Sequence, residues 1–307
     1  MNRFVDIGAN LLDDMFLGVY REKQLHAGDL LHVLDRAKAV GAQNIICTAG
    51  SVLESHRALD LVRTYNQGTG FLKCTVGIHP TQALSVVEST FTELEAICIN
   101  GMQDGSVVAV GECGLDRDRV GFAPFDIQLQ VFEQHFALCE RTQLPMFIHS
   151  RSCFQDTFNV LERHPNVRGV VHSFDYESLS DANELLQLNT NLYIGLNGCS
   201  LKTEGNLLVA AGLPLDRILV ESDAPWCGIR GTSAATKFLS TPLFPTVNKP
   251  EKLAGKETEN LLIKSRNEPC STLDVLKVLA QVKQLSLNQV SIQILANTHR
   301  LFGEMKV

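Results

Sequence analysis

Four side chains that commonly bind metal ions each follow a short run of apolar and β-branched residues. They are Glu112 after Val107–Gly111, His149 after Met146–Ile148, His172 after Val170–Val171, and Asp223 after Ile218–Val220. Carboxylates and neutral imidazoles together suit Zn²⁺, Mn²⁺ or Fe²⁺, and such ions can activate water for hydrolysis. Because the apolar runs are typical of strands, we expect all four side chains at strand ends, on one face of a parallel barrel.

The two acidic residues each have an ordinary structural alternative. Glu112 stands between Gly111 and Gly114, where a carboxylate can bridge two cations or simply form a salt bridge. Glycines on both sides favour a crowded site in which the backbone approaches another group closely. Asp223 is expected to act as a ligand or a general base, although an aspartate shortly before Pro225 also suits a turn.

The histidines also have an ordinary structural alternative to metal binding. A single histidine after a strand is more often a hydrogen-bonded structural residue than a ligand. His149 and His172, however, end consecutive predicted strands, and each is followed by serine, so a shared metal site is favoured. His79 ends the run TVGIHP, and we expect it to contact substrate or support the ligands rather than bind the metal directly.

Three cations and the only tryptophan lie near the expected site. Arg151, two residues after His149, is predicted to hold a phosphate oxygen, with a salt bridge as the alternative. Lys202 and Arg266 are further candidate substrate contacts in loops. Trp226 follows Asp223 and offers a surface for base stacking, but packing is the favoured interpretation.

The segments that carry these residues predict a (β/α)8 TIM barrel in the α/β class. Eight strand candidates alternate with amphipathic segments, and Gln128–Cys139 has the clearest helical spacing. The strands begin near Phe4, Asn44, Phe71, Ser106, Pro145, Arg168, Asn191 and Arg217. A doubly wound open sheet is the alternative, but the chain has no G-x-G-x-x-G motif to support it.

Length and composition limit the remaining possibilities. The 307 residues suit one barrel domain over 1–307, with a long rim loop at about 226–269 rich in Gly, Pro, Ser and Thr. The net charge of −7 argues against binding polyanions through a general basic surface. Nine cysteines without a C-x-x-C pair indicate reduced thiols, and no apolar stretch is long enough to span a bilayer. We therefore expect a cytoplasmic or nuclear protein.

The motifs DIGANL, GIHP, GECGLD, FIHSR, VVHSF, YIGLNG, ESDAPW and RNEP resemble those of TatD-type metal-dependent deoxyribonucleases, in particular the eukaryotic branch. The resemblance covers nearly the whole chain. It implies a TIM-barrel hydrolase that cleaves DNA phosphodiester bonds with one or two divalent ions such as Mg²⁺, Mn²⁺ or Zn²⁺. Transferred motif by motif, the ligands are Glu112, His149, His172 and Asp223, and His79 and Arg151 contact substrate.

The reaction expected from this set has defined roles. Glu112 and Asp223 are the catalytic residues, and Asp223 takes the proton of the attacking water. Arg151 and Lys202 stabilise the developing charge. An exonuclease that prefers single strands or ends is favoured because long rim loops would narrow the pocket and the chain is acidic. A monomer is expected because a closed barrel leaves no sheet edge.

One departure from the family pattern concerns the first strand. Many members carry a His-x-His pair there, whereas this chain has Gly8 and Asn10. One metal site keeps its imidazoles, and the other is left with oxygen donors from Glu112, Asp223 and either Asp6 or Asn10. We therefore expect two unequal metal sites, of which the site with oxygen donors alone is weak and suited to Mg²⁺.

Two other functions remain open at this point. A metal-dependent amidohydrolase or lactonase acting on a small molecule would use the same barrel and ligand order. Such enzymes commonly have His-x-His on strand one and a lysine on strand four, where this chain has Glu112. A non-catalytic nucleic-acid scaffold is the other alternative, and the complete set of four candidate ligands argues against it.

Overall fold

Eight parallel strands form the centre of the structure, a computed structural model that describes residues 2–67, 69–254 and 260–305. The strands are β1 Phe4–Ala9, β2 Ala42–Cys47, β3 Leu72–Val76, β4 Val107–Asp116, β5 Met146–Arg151, β6 Gly169–Val171, β7 Leu192–Leu196 and β8 Ile218–Val220. Each pairs with the next strand along the chain. All eight predicted strands are therefore confirmed.

The sheet closes between its first and last strands. Ala9 forms a parallel bridge with Ala224, and Asn10 N donates to Ala224 O at 2.7 Å. Asp223 N donates to Gly8 O at 2.8 Å. The predicted TIM barrel is thus confirmed, and its closure fixes Asp223 beside the end of β1.

Helices cover the outside of the barrel. In the described part of the chain they are α1 Leu30–Ala39, α2 Val52–Asn66, α3 Thr90–Gln103, α4 Phe125–Thr142, α5 Phe154–Glu162, α6 Leu179–Leu188, α7 Glu204–Gly212, α8 Thr272–Val282 and α9 Leu287–Phe302. On α4 the expected periodicity holds, since Phe132, Phe136 and Cys139 are buried. None of the described helices is both long and apolar enough to cross a lipid bilayer.

The core has two parts on opposite sides of the strands. The larger part lies between strands and helices. The smaller part combines residues from strands all around the barrel, such as Val5, Phe147 and Leu219, with Leu301 and Met305 from the C-terminal end of the chain. It therefore fills the barrel interior, and α9 closes the end opposite the strand C-termini.

Two strands extend further than the sequence suggested. Glu112 and His149 were expected at strand ends, but β4 continues to Asp116 and β5 to Arg151. The register shifts between Val110 and Cys113, and pairing then resumes until Asp116 lies opposite Arg151. This bulge lets β4 continue beyond Glu112, so the expectation was wrong for these two residues.

The segment from 226 to 269 contains short pieces of structure. One-turn helices occupy Ala234–Phe238 and Pro250–Leu253, and Thr246–Val247 pairs with Leu262–Ile263. Residues 255–259 of the predicted rim loop lie outside the described residues. The segment returns to the barrel at Asn267, which donates to Ser222 O at 2.8 Å and to Pro225 O at 2.9 Å.

Asp6 is a carboxyl group fully buried at the seam between β1 and β8. Its Oδ1 accepts hydrogen bonds from Ser222 N at 2.8 Å and Gly8 N at 3.3 Å, and its Oδ2 lies 2.6 Å from the Ser222 hydroxyl. Burial raises the pKa of Asp6 to about 8, although the hydrogen bonds from Ser222 and Gly8 oppose the shift. Asp6 is therefore largely protonated at neutral pH.

This burial predicts a pH-dependent stability. Between the usual pKa of 3.8 and the folded value of about 8, the unfolded chain ionises while the folded chain keeps its proton. Unfolding then releases a proton, so stability falls as pH rises, by up to about 1.4 kcal/mol per pH unit. In Asp6→Asn the amide imitates the protonated acid, and we expect this contribution to disappear. Urea unfolding of both proteins at pH 5 and pH 8 measures it, and equal pH dependence would contradict it.

Candidate metal centre

Three imidazoles surround one carboxylate oxygen at the C-terminal end of the barrel. Oε1 of Glu112 lies 2.8 Å from Nδ1 of His149, 2.9 Å from Nε2 of His172 and 3.4 Å from Nε2 of His79. One ligand atom each from His79, Glu112 and His149 fall within 4.8 Å of one another. The structure therefore brings Glu112, His149 and His172 together as the sequence suggested, and it places His79 closer to Glu112 than expected.

In both His149 and His172, the ring nitrogen that does not contact Glu112 lies close to a second carboxylate. Nε2 of His149 lies 3.0 Å from Oδ2 of Asp116, and Nδ1 of His172 lies 3.3 Å from Oε1 of Glu221. Metal-binding histidines commonly donate their other ring N–H to a carboxylate, which fixes the ring orientation. The donor set therefore fits a divalent ion in its chemistry as well as in its composition.

Sequence reasoning missed both of these orienting carboxylates. Asp116 ends the GECGLD motif, and Glu221 opens ESDAPW, so each stood within four residues of a residue already selected. The signal was a second carboxylate in the same motif. For Asp116, the role of this carboxylate depended on the continuation of β4 beyond Glu112, which the sequence did not predict.

The charges of the cluster reinforce one another. Burial opposes ionisation of Glu112, but His172, His79 and hydrogen bonds from His149 and His172 hold its pKa well below the usual range. Burial likewise opposes protonation of His172, but Glu112 and Glu221 raise its pKa well above the usual range. The pKa of His149 is also raised, since hydrogen bonds to Asp116 and Glu112 outweigh burial. A carboxylate kept ionised in a buried pocket is suited to binding a cation.

Two glycines allow the backbone around Glu112 to reach this position. Both have positive φ angles, +139° for Gly111 and +142° for Gly114. A Cβ atom on Gly111 would lie 2.3 Å from Phe147 O, and one on Gly114 would lie 2.0 Å from His149 O. Only glycine permits this close approach of β4 to β5, which holds Glu112 against the His149 ring.

Asp223 lines the same cavity and follows β8. Its Oδ1 accepts a hydrogen bond from Asn10 Nδ2 at 2.9 Å, and its backbone has a positive φ of +51°. Burial raises the pKa of Asp223 to about 6; nearby Glu221 and Glu112 add to the shift, and His172 opposes it. The carboxylate therefore becomes a proton acceptor near neutral pH.

These side chains share a cavity of about 420 Å³, a size that suits a small ligand or one end of a larger one. Its described lining comprises Asn10, Ala49, Gly50, Glu54, His79, Thr81, Gln82, Glu112, Arg119, His149, Arg151, His172, Ser173, Asp223, Trp226 and Cys227. Nη1 of Arg151 lies 3.8 Å from Oδ2 of Asp116, which is the salt bridge considered as the alternative to phosphate binding. The Arg151 side chain is still 37% exposed and lines the cavity.

Two predicted substrate contacts lie outside the described cavity lining, and one residue expected to pack lines the cavity instead. The described lining does not include Lys202, which is exposed, or Arg266. The Arg266 guanidinium is buried against Asp29 at 2.6 Å and Glu268 at 2.8 Å, so it is committed to structural ion pairs. The packing role favoured for Trp226 was wrong, because this residue is 51% exposed and lines the cavity.

The first-strand positions that lack histidine are occupied by close packing at Gly8 and by hydrogen bonds at Asn10. A Cβ atom on Gly8 would lie 2.8 Å from Phe147 Cζ and 2.9 Å from Glu221 Oε2. Asn10 is tied to Asp223 and to Thr48 Oγ1 at 2.9 Å, while the Asp6 oxygens are occupied at the seam. Glu221 Oε2 is buried and finds no hydrogen-bond partner among the described residues. Near Asp223 the described lining therefore offers oxygen donors and the Cys227 thiol, and no imidazole from the first strand.

Comparison with known proteins agrees with this geometry. The family model described as TatD related DNase matches residues 5–303. Deoxyribonuclease Tat-D from Schizosaccharomyces pombe is 40% identical, covering 98% of this chain and 96% of the relative. The 3'-5' ssDNA/RNA exonuclease TatD from Erwinia amylovora is 28% identical, covering 97% and 99%. A crystal structure of a hydrolase TatD family protein from Entamoeba histolytica has a TM-score of 0.89 and 31% identity, with 98% of each chain covered. The resemblance seen in the motifs is confirmed, and the chain belongs to the TatD-related DNase family.

Proposed function

We propose that this protein is a divalent-metal-dependent deoxyribonuclease that hydrolyses DNA phosphodiester bonds as an exonuclease. The observation that carries the proposal is the Glu112 carboxylate held between His149 and His172, whose other ring nitrogens contact Asp116 and Glu221. Family membership supports the reaction class. The amidohydrolase or lactonase alternative is not favoured, because the matching family model and the Schizosaccharomyces pombe relative are named as DNases.

The residues of the cavity divide into ligands and substrate contacts. We assign Glu112, His149, His172 and Asp223 as metal ligands, with His79 close enough to Glu112 to contact the ion or the substrate. A bound divalent ion would polarise the phosphoryl oxygen and make a water molecule more acidic. Asp223 accepts the proton of the attacking water, and the exposed side of the Arg151 guanidinium binds a phosphate oxygen.

The two sides of the cavity should differ in metal affinity. The Glu112 side has imidazoles held by carboxylates, which suits Zn²⁺ or Mn²⁺. The Asp223 side has oxygen donors and the Cys227 thiol but no first-strand imidazole, and its oxygens suit a weakly held Mg²⁺ completed by substrate phosphate. Calorimetric titration of metal-free protein, with and without a non-cleavable oligonucleotide, tests this. We expect one tight site in the free protein and a second that appears with the oligonucleotide; two equally tight sites without it would contradict the assignment.

Single strands or chain ends fit this cavity better than continuous duplex. The described lining of the cavity includes Trp226, Arg119 and Arg151. Stacking on an aromatic ring combined with local positive charge is a common way to hold single-stranded nucleic acid. The name of the Erwinia amylovora relative, a 3'-5' ssDNA/RNA exonuclease, agrees with this substrate class.

A role for Trp226 in stacking predicts a specific defect. Trp226→Ala should raise KM for a single-stranded oligonucleotide roughly 10-fold, because one stacked base contributes about 1–3 kcal/mol. Trp226→Phe should recover most of the loss, and Leu208→Ala, at a 72% exposed apolar residue outside the described cavity lining, serves as the control. Steady-state kinetics on labelled oligonucleotides measures the effect. An unchanged KM for Trp226→Ala would rule out stacking.

The assay that tests the proposed function uses several substrates in parallel. End-labelled single- and double-stranded oligonucleotides, supplied with Mg²⁺, Mn²⁺ or Zn²⁺, are compared with a panel of lactones and cyclic amides. We expect metal-dependent removal of nucleotides from an end, fastest on single strands. Turnover of a lactone or amide without cleavage of DNA would overturn the proposal.

Further properties belong to the same proposal. We take residues 1–307 as one hydrolase domain, with the segment at about 226–269 as its rim loop, and the protein as a monomer in the cytoplasm or nucleus. Support for this location comes from the nine cysteines, all of which are free thiols in the structure. Gel filtration and fractionation of cells that express the tagged protein test the two statements separately.

A further inference from the structure

Two cysteine sulfurs lie side by side at the rim of the metal centre. Sγ of Cys199 is 2.8 Å from Sγ of Cys227, compared with about 2.05 Å in a disulfide. Cys227 lines the cavity. All nine cysteines lie within the described residues, and of these only Cys199 and Cys227 are partly exposed while the other seven are buried, so an oxidant in solution reaches this pair first.

The loops that carry the pair are packed to keep it together. Cys199 follows β7, where its backbone N donates to Asn197 Oδ1 at 2.8 Å. Cys227 follows β8 in a turn in which Trp226 N donates to Asp223 O at 2.9 Å. A Cβ atom on Gly198 would lie 2.1 Å from Cys227 O, so only glycine there allows the two loops to approach so closely.

We propose that Cys199 and Cys227 form a reversible disulfide that controls the metal centre, with hydrogen peroxide as the oxidant. One thiol sulfur attacks a peroxide oxygen, which breaks the O–O bond and gives a sulfenic acid and water. The second thiol then attacks that sulfur, forms the S–S bond and releases another water. Both sulfurs are oxidised and the peroxide is reduced to two waters in total. A dithiol reverses the change by thiol–disulfide exchange.

The cross-link would act on the cavity through Asp223. Cys227 follows Asp223 by four residues and lines the same cavity, and Asn10 Nδ2 donates a hydrogen bond to Asp223 Oδ1. Disulfide formation consumes the Cys227 S–H and draws its sulfur towards Cys199. The turn that joins Asp223 to Trp226 then moves with Cys227, and this movement displaces the Asp223 carboxylate. Loss of cleavage on oxidation rests on the proposed function, whereas formation of the cross-link does not.

Peptide mapping tests the cross-link without measuring activity. Cleavage after Lys and Arg puts Cys199 in peptide 169–202 and Cys227 in peptide 218–230, and neither contains another cysteine. After treatment of the native protein with hydrogen peroxide, we expect a linked species of these two peptides that dithiothreitol separates. Its absence, with both thiols still free or overoxidised singly, would overturn the proposal.

A matched variant then tests control of the centre. We expect peroxide to lower oligonucleotide cleavage by native protein at least 10-fold, with recovery in dithiothreitol. Cys199→Ser, which lies outside the described cavity lining, should keep its activity under the same treatment. Loss of activity in Cys199→Ser equal to that of native protein would overturn control by this pair. If the protein cleaves no oligonucleotide at all, metal titration of the oxidised and reduced forms decides, and equal metal affinities would overturn it.

Discussion

Replacing Glu112 with glutamine is expected to lower DNA cleavage by roughly 1,000-fold while leaving the barrel folded. The loss follows from several kcal/mol of metal-dependent stabilisation of the transition state. In the native protein, His149 and His172 both contact Oε1 of Glu112. The glutamine amide has nearly the same shape but no charge, so the cavity keeps its form and loses its main attraction for a cation.

The measurements for Glu112→Gln separate binding from folding. Calorimetry should show that the tight metal site is lost, and urea unfolding should show a folded protein. Glu133→Gln is a matched control, because Glu133 also contacts a histidine, with Oε2 2.7 Å from Nε2 of His164, but lies outside the described cavity lining. Near-native cleavage by Glu112→Gln would remove Glu112 from the proposed centre.

Asp223→Asn should lower cleavage by about 100-fold or more, because the amide cannot accept the proton of the attacking water. The amide oxygen can still accept the hydrogen bond that Asn10 donates to Asp223, so the turn after β8 should remain in place. The tight metal site on the Glu112 side should also remain. The variant thus separates a loss of catalysis from a loss of the principal metal site.

The control for Asp223→Asn is an aspartate at the opposite end of β8. Asp216 is an exposed residue that precedes β8, whereas Asp223 follows it. In a TIM barrel the chemistry is confined to the C-terminal ends of the strands. Asp216→Asn should therefore cleave DNA at the native rate in single-turnover assays. A native rate for Asp223→Asn as well would exclude Asp223 as the base.

Much of the site was predictable because its residues follow apolar runs that can be recognised in the sequence. An apolar run that ends in Glu, His or Asp is visible in the sequence itself, and alternation with helices implies that these ends meet on one face. This gave the barrel and brought Glu112, His149 and His172 into one cluster. The same reasoning failed for Arg266, because the burial of Arg266 beside Asp29 and Glu268 depends on the path of a loop, which no local sequence pattern predicts.

The sequence by itself determined the fold class, the family and the residues around which the centre is built. Only the tertiary structure decided which groups lie around them: Asp116 against His149, Glu221 against His172, Trp226 in the cavity lining, and Cys199 against Cys227. Local periodicity is a property of neighbouring residues, so the chain displays it directly. Contacts across the barrel depend on strand register and loop paths, which join residues as far apart as Asp6 and Ser222 and exist only once the sheet has closed.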